Sequence, residues 1–552
     1  MMNRSKIFLT ILAFILAIIL AAPLIVNPIL KRKILVTLHQ KYPDYDIRID
    51  KLRWMLIPSQ LTLTNITVAS KPVAGNSRFL KGEIASIRFK GIENIKALFN
   101  RGYEVHQIVV SGSNIEGKVP FHKKEKLPIT STLNVRIDQI LFDGVNLSLR
   151  DSSTAQSLVV REGMLKLKNL DIRKKDTLGI LRQFDLRAYS VISNSPDSMY
   201  TFRANGIVYA DSLKKLSVDS LSLNPNYKRY DFTAKHPYEA DRFLVKISDL
   251  KLDKFQADDF YNSGNLVSSC LWIGNMNLEA FRDKRKPDSH EKKPPFQKYI
   301  YTYPGFLKID SMLFNGGSIT YIEHAEKAAE PGRVHLDDFR AKVYNLTNDS
   351  IYQSKDTTLT IKAQAMLMGK SKMDILFKAR LFDPMNTFSV KGSLAAMQVK
   401  DLNPILEKNA FIYANSTKVN QLKFSFTAND KKTSGKMIML YDGLDLAVKN
   451  KHTKDTTGLK EQIISLIANK STWDSNPLPK EEARVGIIDY ERDPTKSVIN
   501  YCVKSVVSGI RSTIIKHPKN KKSFFQRIFT NGDDKVKERI KESSLLRFPE
   551  LS

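Results

Sequence analysis

VRIDQILFDGVNLSLRD occupies residues 135–151, and LKIDSMLFNGGSITYIE occupies residues 307–323. Aligned without a gap, the two lines share Ile137/Ile309, Asp138/Asp310, Leu141/Leu313, Phe142/Phe314 and Gly144/Gly316. Apolar and polar residues alternate in both, the period of a strand with one buried face. The alternation slips twice. Val135 and Ile137 are in step, Ile140 and Phe142 take the opposite step, and Val145, Leu147 and Leu149 return to the first. A one-residue slip moves the apolar set to the other face unless a bulge or a turn absorbs it. Each line is therefore expected to fold as two or three short strand pieces, kinked at Asp138 or Asp310 and turning at Gly144 or Gly316.

The echo runs on. Leu165-x-Leu167-x-x-Leu170 follows the first line and Val334-x-Leu336-x-x-Phe339 the second, and Phe202-x-Ala204-x-Gly206 is matched by Phe388-x-Val390-x-Gly392. Weaker single lines stand at 103–115 and 216–224. Repetition of a supersecondary unit points to neighbours that stack to bury what one unit cannot. Between about residues 45 and 450 no long helical period interrupts the alternation. The expected fold is mainly β, an elongated, repeated antiparallel sheet body, either open like a groove or closed as a sandwich.

The 552 residues allow two to four domains. A net charge of +30 spread along the chain favours an anionic partner. No nucleic-acid-binding motif or basic–aromatic patch accompanies it, so membrane phospholipid or another envelope lipid is expected, not nucleic acid. The two cysteines, Cys270 and Cys502, form no ligand or redox pattern. His324 and His335, near Glu323, Asp337 and Asp338, are the best metal guess and read better as solvated polar residues. No nucleophile elbow, phosphate loop or carboxylate pair is present, so neither enzyme activity nor a cofactor is expected. Asp138 and Asp310 recur at equivalent kinks, as an Asp bonding its own backbone does.

An uncharged run from Ile7 to Leu30 is long enough to cross a bilayer as a helix. Pro23 follows Ala21-Ala22 and opposes cleavage there, which favours a retained signal anchor. Basic residues flank both ends (Arg4 and Lys6; Lys31, Arg32 and Lys33), so charge does not fix the orientation. The expected organisation is a stub and transmembrane anchor at 1–33, an N-terminal β segment at 34–134 and a first β repeat at 135–281. A charged linker at 282–300, a second β repeat at 301–452 and a basic helical tail at 453–552 follow. In that tail, Ile499, Val503, Val506, Ile510 and Ile514 mark an amphipathic helix.

The stretch 388–449 carries a family resemblance: the Gly392 strand, the Leu402-Asn403-Pro404 turn, the Phe424/Phe426 strand, and Gly435 with Leu440-Tyr441. Together with the anchor and the line at 309–321, it resembles the AsmA-like family of Gram-negative envelope proteins. The resemblance implies a single-pass inner-membrane protein with its body in the periplasm, acting in outer-membrane biogenesis. It also implies an apolar β-groove that binds or passes lipid, with Ile137, Phe142, Ile309 and Phe314 facing that lipid and envelope proteins as possible partners. Gly144, Gly316 and Pro404 are the expected structural turns. A closed periplasmic scaffold aiding outer-membrane protein assembly is the alternative.

Overall fold

The computed structural model describes residues 25–55, 58–72, 78–92, 103–121, 135–171, 183–349, 351, 357–448 and 471–516. Ile7 and the 517–552 segment lie outside them. Within the described residues the chain is mainly β. It forms two compact units: residues 1–289, 300–322 and 339–351 make one, and 290–299, 323–338 and 352 onward make the other. A single boundary at 282–300 is thus replaced by one that the chain crosses repeatedly. The 282–300 stretch is also tied down: the Lys293 N–H donates to Pro494 O at 2.7 Å, and Gln297, 1% exposed, donates to Thr387 O.

The first unit opens with β1 (Tyr45–Met55), β2 (Gln60–Ser70), β3 (Phe79–Ile92) and β4 (Tyr103–Val119). Next come β5 (Val135–Asp151), β6 (Ser157–Asp171), β7 (Phe184–Asn194) and β8 (Tyr200–Ala210). β9 (Lys215–Pro225), β10 (Asp241–Asp253), β11 (Leu266–Asp283) and β12 (Leu307–Phe314) complete the series. β13 (Gly317–His324) and β14 (Gly332–Thr347) carry residues of both units. From β1 to β12 chain neighbours pair antiparallel with two exceptions: β4 with β5, and β11 with β12, run parallel. The wholly antiparallel expectation fails at those two joins. Each join is where a copy of the repeated line begins.

The slips in the apolar period have one structural cause. At one level of the sheet every strand from β1 to β11 carries a residue that the ladder skips. Across neighbouring strands these are Asp50, Asn65, Ala85, Gly112 and Gly144, then Glu162, Tyr189, Gly206, Asp219, Asp249 and Gly274. Several hold a left-handed backbone, among them Asn65 (φ 53°), Gly144 (φ 67°) and Asp249 (φ 56°). An inserted left-handed residue is a β-bulge that turns the following side chains to the opposite face. Because every strand has one, the inter-strand register survives while the inward set changes phase. The packing shows this directly: Ile49 and Leu52, Leu63 and Ile66, and Ile84 and Ile87 share one cluster although each pair is three apart. A second seam runs through Gly91, His106, Asp138 and Asn169, and places Ile137 with Ile140 and Phe142 in one cluster.

Gly144 is therefore no turn. β5 is continuous over 17 residues, and its glycine is the seam residue, at a register shift between Phe142 and Val145. In the second copy Asn315 and Gly316 interrupt the strand between β12 and β13 without reversing it, since both pieces follow β11 at one offset, and the positive φ belongs to Gly317 (φ 139°), not Gly316. Pro404 sits in a short helical turn, Asn403–Ile405, whose Asn403 side chain brackets Ala414 with bonds to its N–H and C=O.

The duplication is real over a shorter span than the sequence suggests. Asp138 stands opposite left-handed Asn169 (φ 55°), as Asp310 stands opposite Asn345 (φ 62°). Phe142 pairs with Leu165 and Phe314 with Ala341; Ile137 pairs with Leu170 and Ile309 with Leu346. The strand after the repeated line thus matches seven residues later than apolar spacing indicates: Leu165 corresponds to Ala341, not Val334. The Phe202/Phe388 echo does not correspond at all. β8 is the third strand after β5, whereas Phe388 begins β17.

The second unit contains β15 (Thr358–Leu367), β16 (Ser371–Arg380), β17 (Phe388–Leu394), β18 (Met397–Gln398) and β19 (Ile412–Ala414). β20 (Lys418–Ala428), β21 (Lys432–Asp442), β22 (Leu446–Val448) and β23 (Val485–Glu491) follow. The main ladder is β15-β16-β17-β20-β21-β23, all antiparallel. β23 lies inside the tail expected to be helical, so that segment contributes a strand as well as the Val498–Ile514 helix.

Candidate functional site

Strand periodicity gives the first unit's sheet one aliphatic and one polar face, and the seam divides the aliphatic face into levels. On the Phe142 side of the seam the aliphatic residues are covered by protein. Ile137, Leu167, Leu170, Phe184, Tyr209, Leu252, Phe255 and Ala257 form a dry cluster. Phe255 stands edge-on to Tyr209 with centroids 6.1 Å apart. Ile137 and Ile309 are 5% and 3% exposed, so neither offers surface to a bound lipid. Phe142 is half-buried against the Ile137 cluster, and Phe314 is half-buried against Phe339, with centroids 6.0 Å apart. Of the four residues expected to face lipid, Ile137 and Ile309 are thus enclosed by protein, whereas Phe142 and Phe314 keep part of their surface open.

Beyond the seam the picture changes. Directly paired positions make a transverse row: Leu147, Val160, Val191, Ala204, Leu221 and Ile247 on six adjacent strands. Paired residues share a face of the sheet, and the row is continuous with Ile115 at one end and Met276 at the other. Ala204 is buried; the larger members are half-buried, unlike the cluster under Phe255. Their sequence neighbours on the opposite face are Asn146, Arg161 and Lys246, all exposed.

At the β1 end the same face is covered by residues 25–41, which are helical. Leu30, Ile34, Leu35 and Leu38 pack against the cluster of Ile49, Leu52, Leu63 and Ile66. Leu30, expected to end the membrane span, thus meets the sheet. Ile25 and Ile29 on that helix are 66% and 63% exposed. Among the described residues no helix is long and apolar enough to cross a membrane.

The polar face carries an open trough of about 440 Å³ lined by Lys81, Glu83, Asn114, Glu116, Asn146 and Arg161, among others. Lys81 lies 3.5 Å from Glu83 and 3.9 Å from Glu116, and Asn146 donates to Asn114 at 3.1 Å. These pairs are exposed and solvent-screened. At the seam His106 and Asp138 approach to 2.9 Å, both exposed.

The metal guess does not assemble. Glu323 accepts from the Asn409 amide, His324 bonds Ala328 O, and His335 lies 3.3 Å from Asp337. Among the described residues no cluster of three ligating side chains could hold a metal ion. Asp151 is the most perturbed carboxylate. The Phe121 N–H and the Thr154 and Ser153 groups donate to it and hold its carboxyl far below the usual carboxylate range. The Ser153 and Thr154 bonds close a local turn and the Phe121 bond ties it to the chain just beyond β4, so the role is architectural. Burial pushes the Cys502 thiol up to about 12, which keeps it protonated and unreactive.

The transverse row escaped sequence reasoning because hydropathy along one strand does not say which positions of six strands meet. The seam residues were the available signal: a Gly, Asn or Asp in mid-strand wherever the period slips. No protein-family model matches the chain, and no curated protein matches it significantly.

Proposed function

We propose that this chain is a non-enzymatic, membrane-anchored envelope protein that binds lipid acyl chains along the row from Ile115 to Met276. The observation that carries the reading is the contrast across the seam. One level of the aliphatic face is covered by Phe255 and its neighbours, whereas the Leu147 and Ile247 level is only half-buried. Aliphatic side chains left partly open forgo roughly 25 cal/mol for each Å² still in water. An extended acyl chain laid across the strands recovers it without needing any polar partner. The uncharged run that starts at Ile7 supplies the anchor ahead of the helix packed on the sheet, and the +30 charge suits an anionic bilayer surface. Under the family resemblance, the compartment is the periplasm and the process is outer-membrane biogenesis.

The test is site-specific photocrosslinking in cells followed by lipid mass spectrometry. Crosslinkers at Leu147 and Ile247 should capture acyl lipid; those at Asn146, Lys246 and buried Ile137 should not. Equal yields at Leu147 and Asn146 would refute the reading, and capture of protein alone at Leu147 would favour the scaffold.

A further inference from the structure

Among the described residues β23 forms a ladder with β21 alone. A strand with a free edge presents a row of unpaired N–H and C=O groups to any other strand. Its sequence, Val-Gly-Ile-Ile-Asp-Tyr-Glu, has no Pro or Lys to discourage such pairing. Here the edge is occupied by a helix. The Ile487 N–H donates to Ser512 Oγ at 2.9 Å, and the Asp489 N–H donates to Ser508 Oγ at 3.3 Å.

The spacing is what makes this work. Four helical residues advance about 6 Å, and two strand residues advance nearly 7 Å. Serines at i and i+4 on one helix can therefore serve N–H groups at i and i+2 on one strand. Ser508 gives its own hydroxyl hydrogen to Ser505 O at 2.7 Å, which leaves its lone pairs to accept. The approach is close because both surfaces are small: a side chain on Gly509 would press on Ile488 Cγ1 at 2.8 Å and Met437 Cε at 3.0 Å. Tyr501 is 2% exposed and donates to Asn429 O, pinning the first turns of the helix.

We infer that the Val498–Ile514 helix is a strand surrogate that blocks β23 from pairing with β23 of a second copy. The strand suits itself as a partner. Antiparallel pairing centred on Ile488 sets Asp489 opposite Ile487 and Glu491 opposite Val485, so no carboxylates face each other. Ile487 of each copy then faces Asp489 of the other, and each of these two symmetric pairs exchanges N–H···O=C bonds through the outward edge.

The test compares Ser508→Ala/Ser512→Ala and Gly509→Leu with the parent, each as the full chain in detergent micelles. In the serine variant, single-residue amide exchange should quicken about tenfold or more at Ile487 and Asp489. Exchange should not change at Ile488, whose N–H points to β21. In Gly509→Leu the lifted helix should give a dimer by light scattering. Mixing its Ile487→Cys and Asp489→Cys derivatives should then yield a disulfide between copies. Unchanged exchange at Ile487 and Asp489 overturns the inference, since the serine variant leaves the core intact. So does a folded Gly509→Leu chain that stays monomeric or dimerises without that crosslink.

Discussion

The adjacent glycines Gly316 and Gly317 make a sharp test of the break between β12 and β13. Gly317 has φ 139°, and a side chain there would overlap Met276 O and come within 2.7 Å of the carbonyl carbon. Backbone of that kind costs an ordinary residue about 1–3 kcal/mol. The overlap is with main chain, so relieving it means shifting the β11–β13 pairing. Gly317→Ala should therefore cost about 4 kcal/mol, at the upper end for a single substitution. Gly316 has no positive φ, and its nearest neighbours would lie 3.8 Å away. Gly316→Ala should fall within about 0.5 kcal/mol of the parent. Gly144→Ala is the intermediate case: the space is open, with Gly112 N at 3.7 Å, but the backbone is left-handed, so about 1 kcal/mol is expected. Urea unfolding followed by tryptophan fluorescence reads all three. With a slope of about 2 kcal/mol per M, Gly317→Ala should lower the midpoint by roughly 2 M. A Gly316→Ala cost equal to or above that of Gly317→Ala would refute the placement of the break at Gly317.

Phe255→Ala should cost about 3–4 kcal/mol by opening a cavity beside Tyr209 and Phe260, measured by the same unfolding curves. Asn345→Gly should be tolerated while Asn345→Val destabilises by 1 kcal/mol or more, about as the pair at Asn169 does, because both positions are left-handed. Asp151 has a lowered folded pKa, so its stabilisation is full above the unfolded value near 3.9 and is lost as pH falls below it. Asp151→Asn should accordingly flatten the acid limb of a stability–pH profile below about pH 4, and an unaltered limb would show that the carboxylate contributes nothing.

Much of the architecture could be read from the chain. Alternation identified the strands, and the slips at Asp138 and Gly144 fall where the two seams cross β5. What a single strand could not disclose is that its neighbours slip at the same level, since that is a property of pairing. The same limit misplaced the second half of the repeat by seven residues. Apolar spacing admits several alignments, whereas the left-handed Asn169 and Asn345 fix one. On the Val498–Ile514 helix, Ile499 and Val503, chosen as the packing stripe, are 78% and 55% exposed. The face that packs is Tyr501, Ser505, Ser508, Gly509 and Thr513, with Ile514 alone of the expected stripe fully buried. Hydropathy cannot register hydroxyls that earn burial by meeting backbone N–H groups. Ile137 and Leu147 likewise look alike in sequence, and only the cover supplied by Phe255 and its neighbours separates them.

The parallel join of β4 and β5 has a consequence for how the chain reaches its native state. The two strands lie in register at a constant offset, with Ile108 beside Ile140, Val110 beside Phe142 and Ile115 beside Leu147. To β3 they present nearly the same apolar text. A folding chain therefore has two competitors for one place: β5 can dock on β3 with β4 extruded, and the apolar pairs formed would be about as favourable. The error surfaces only when β6 finds its partner already committed. Correcting it requires a strand of 17 residues to detach. Refolding should thus split into a fast and a slow population, and exchanging His106 and Asp138 between the strands should shift the ratio, since beside Gly91 they are among the few features that tell β4 from β5.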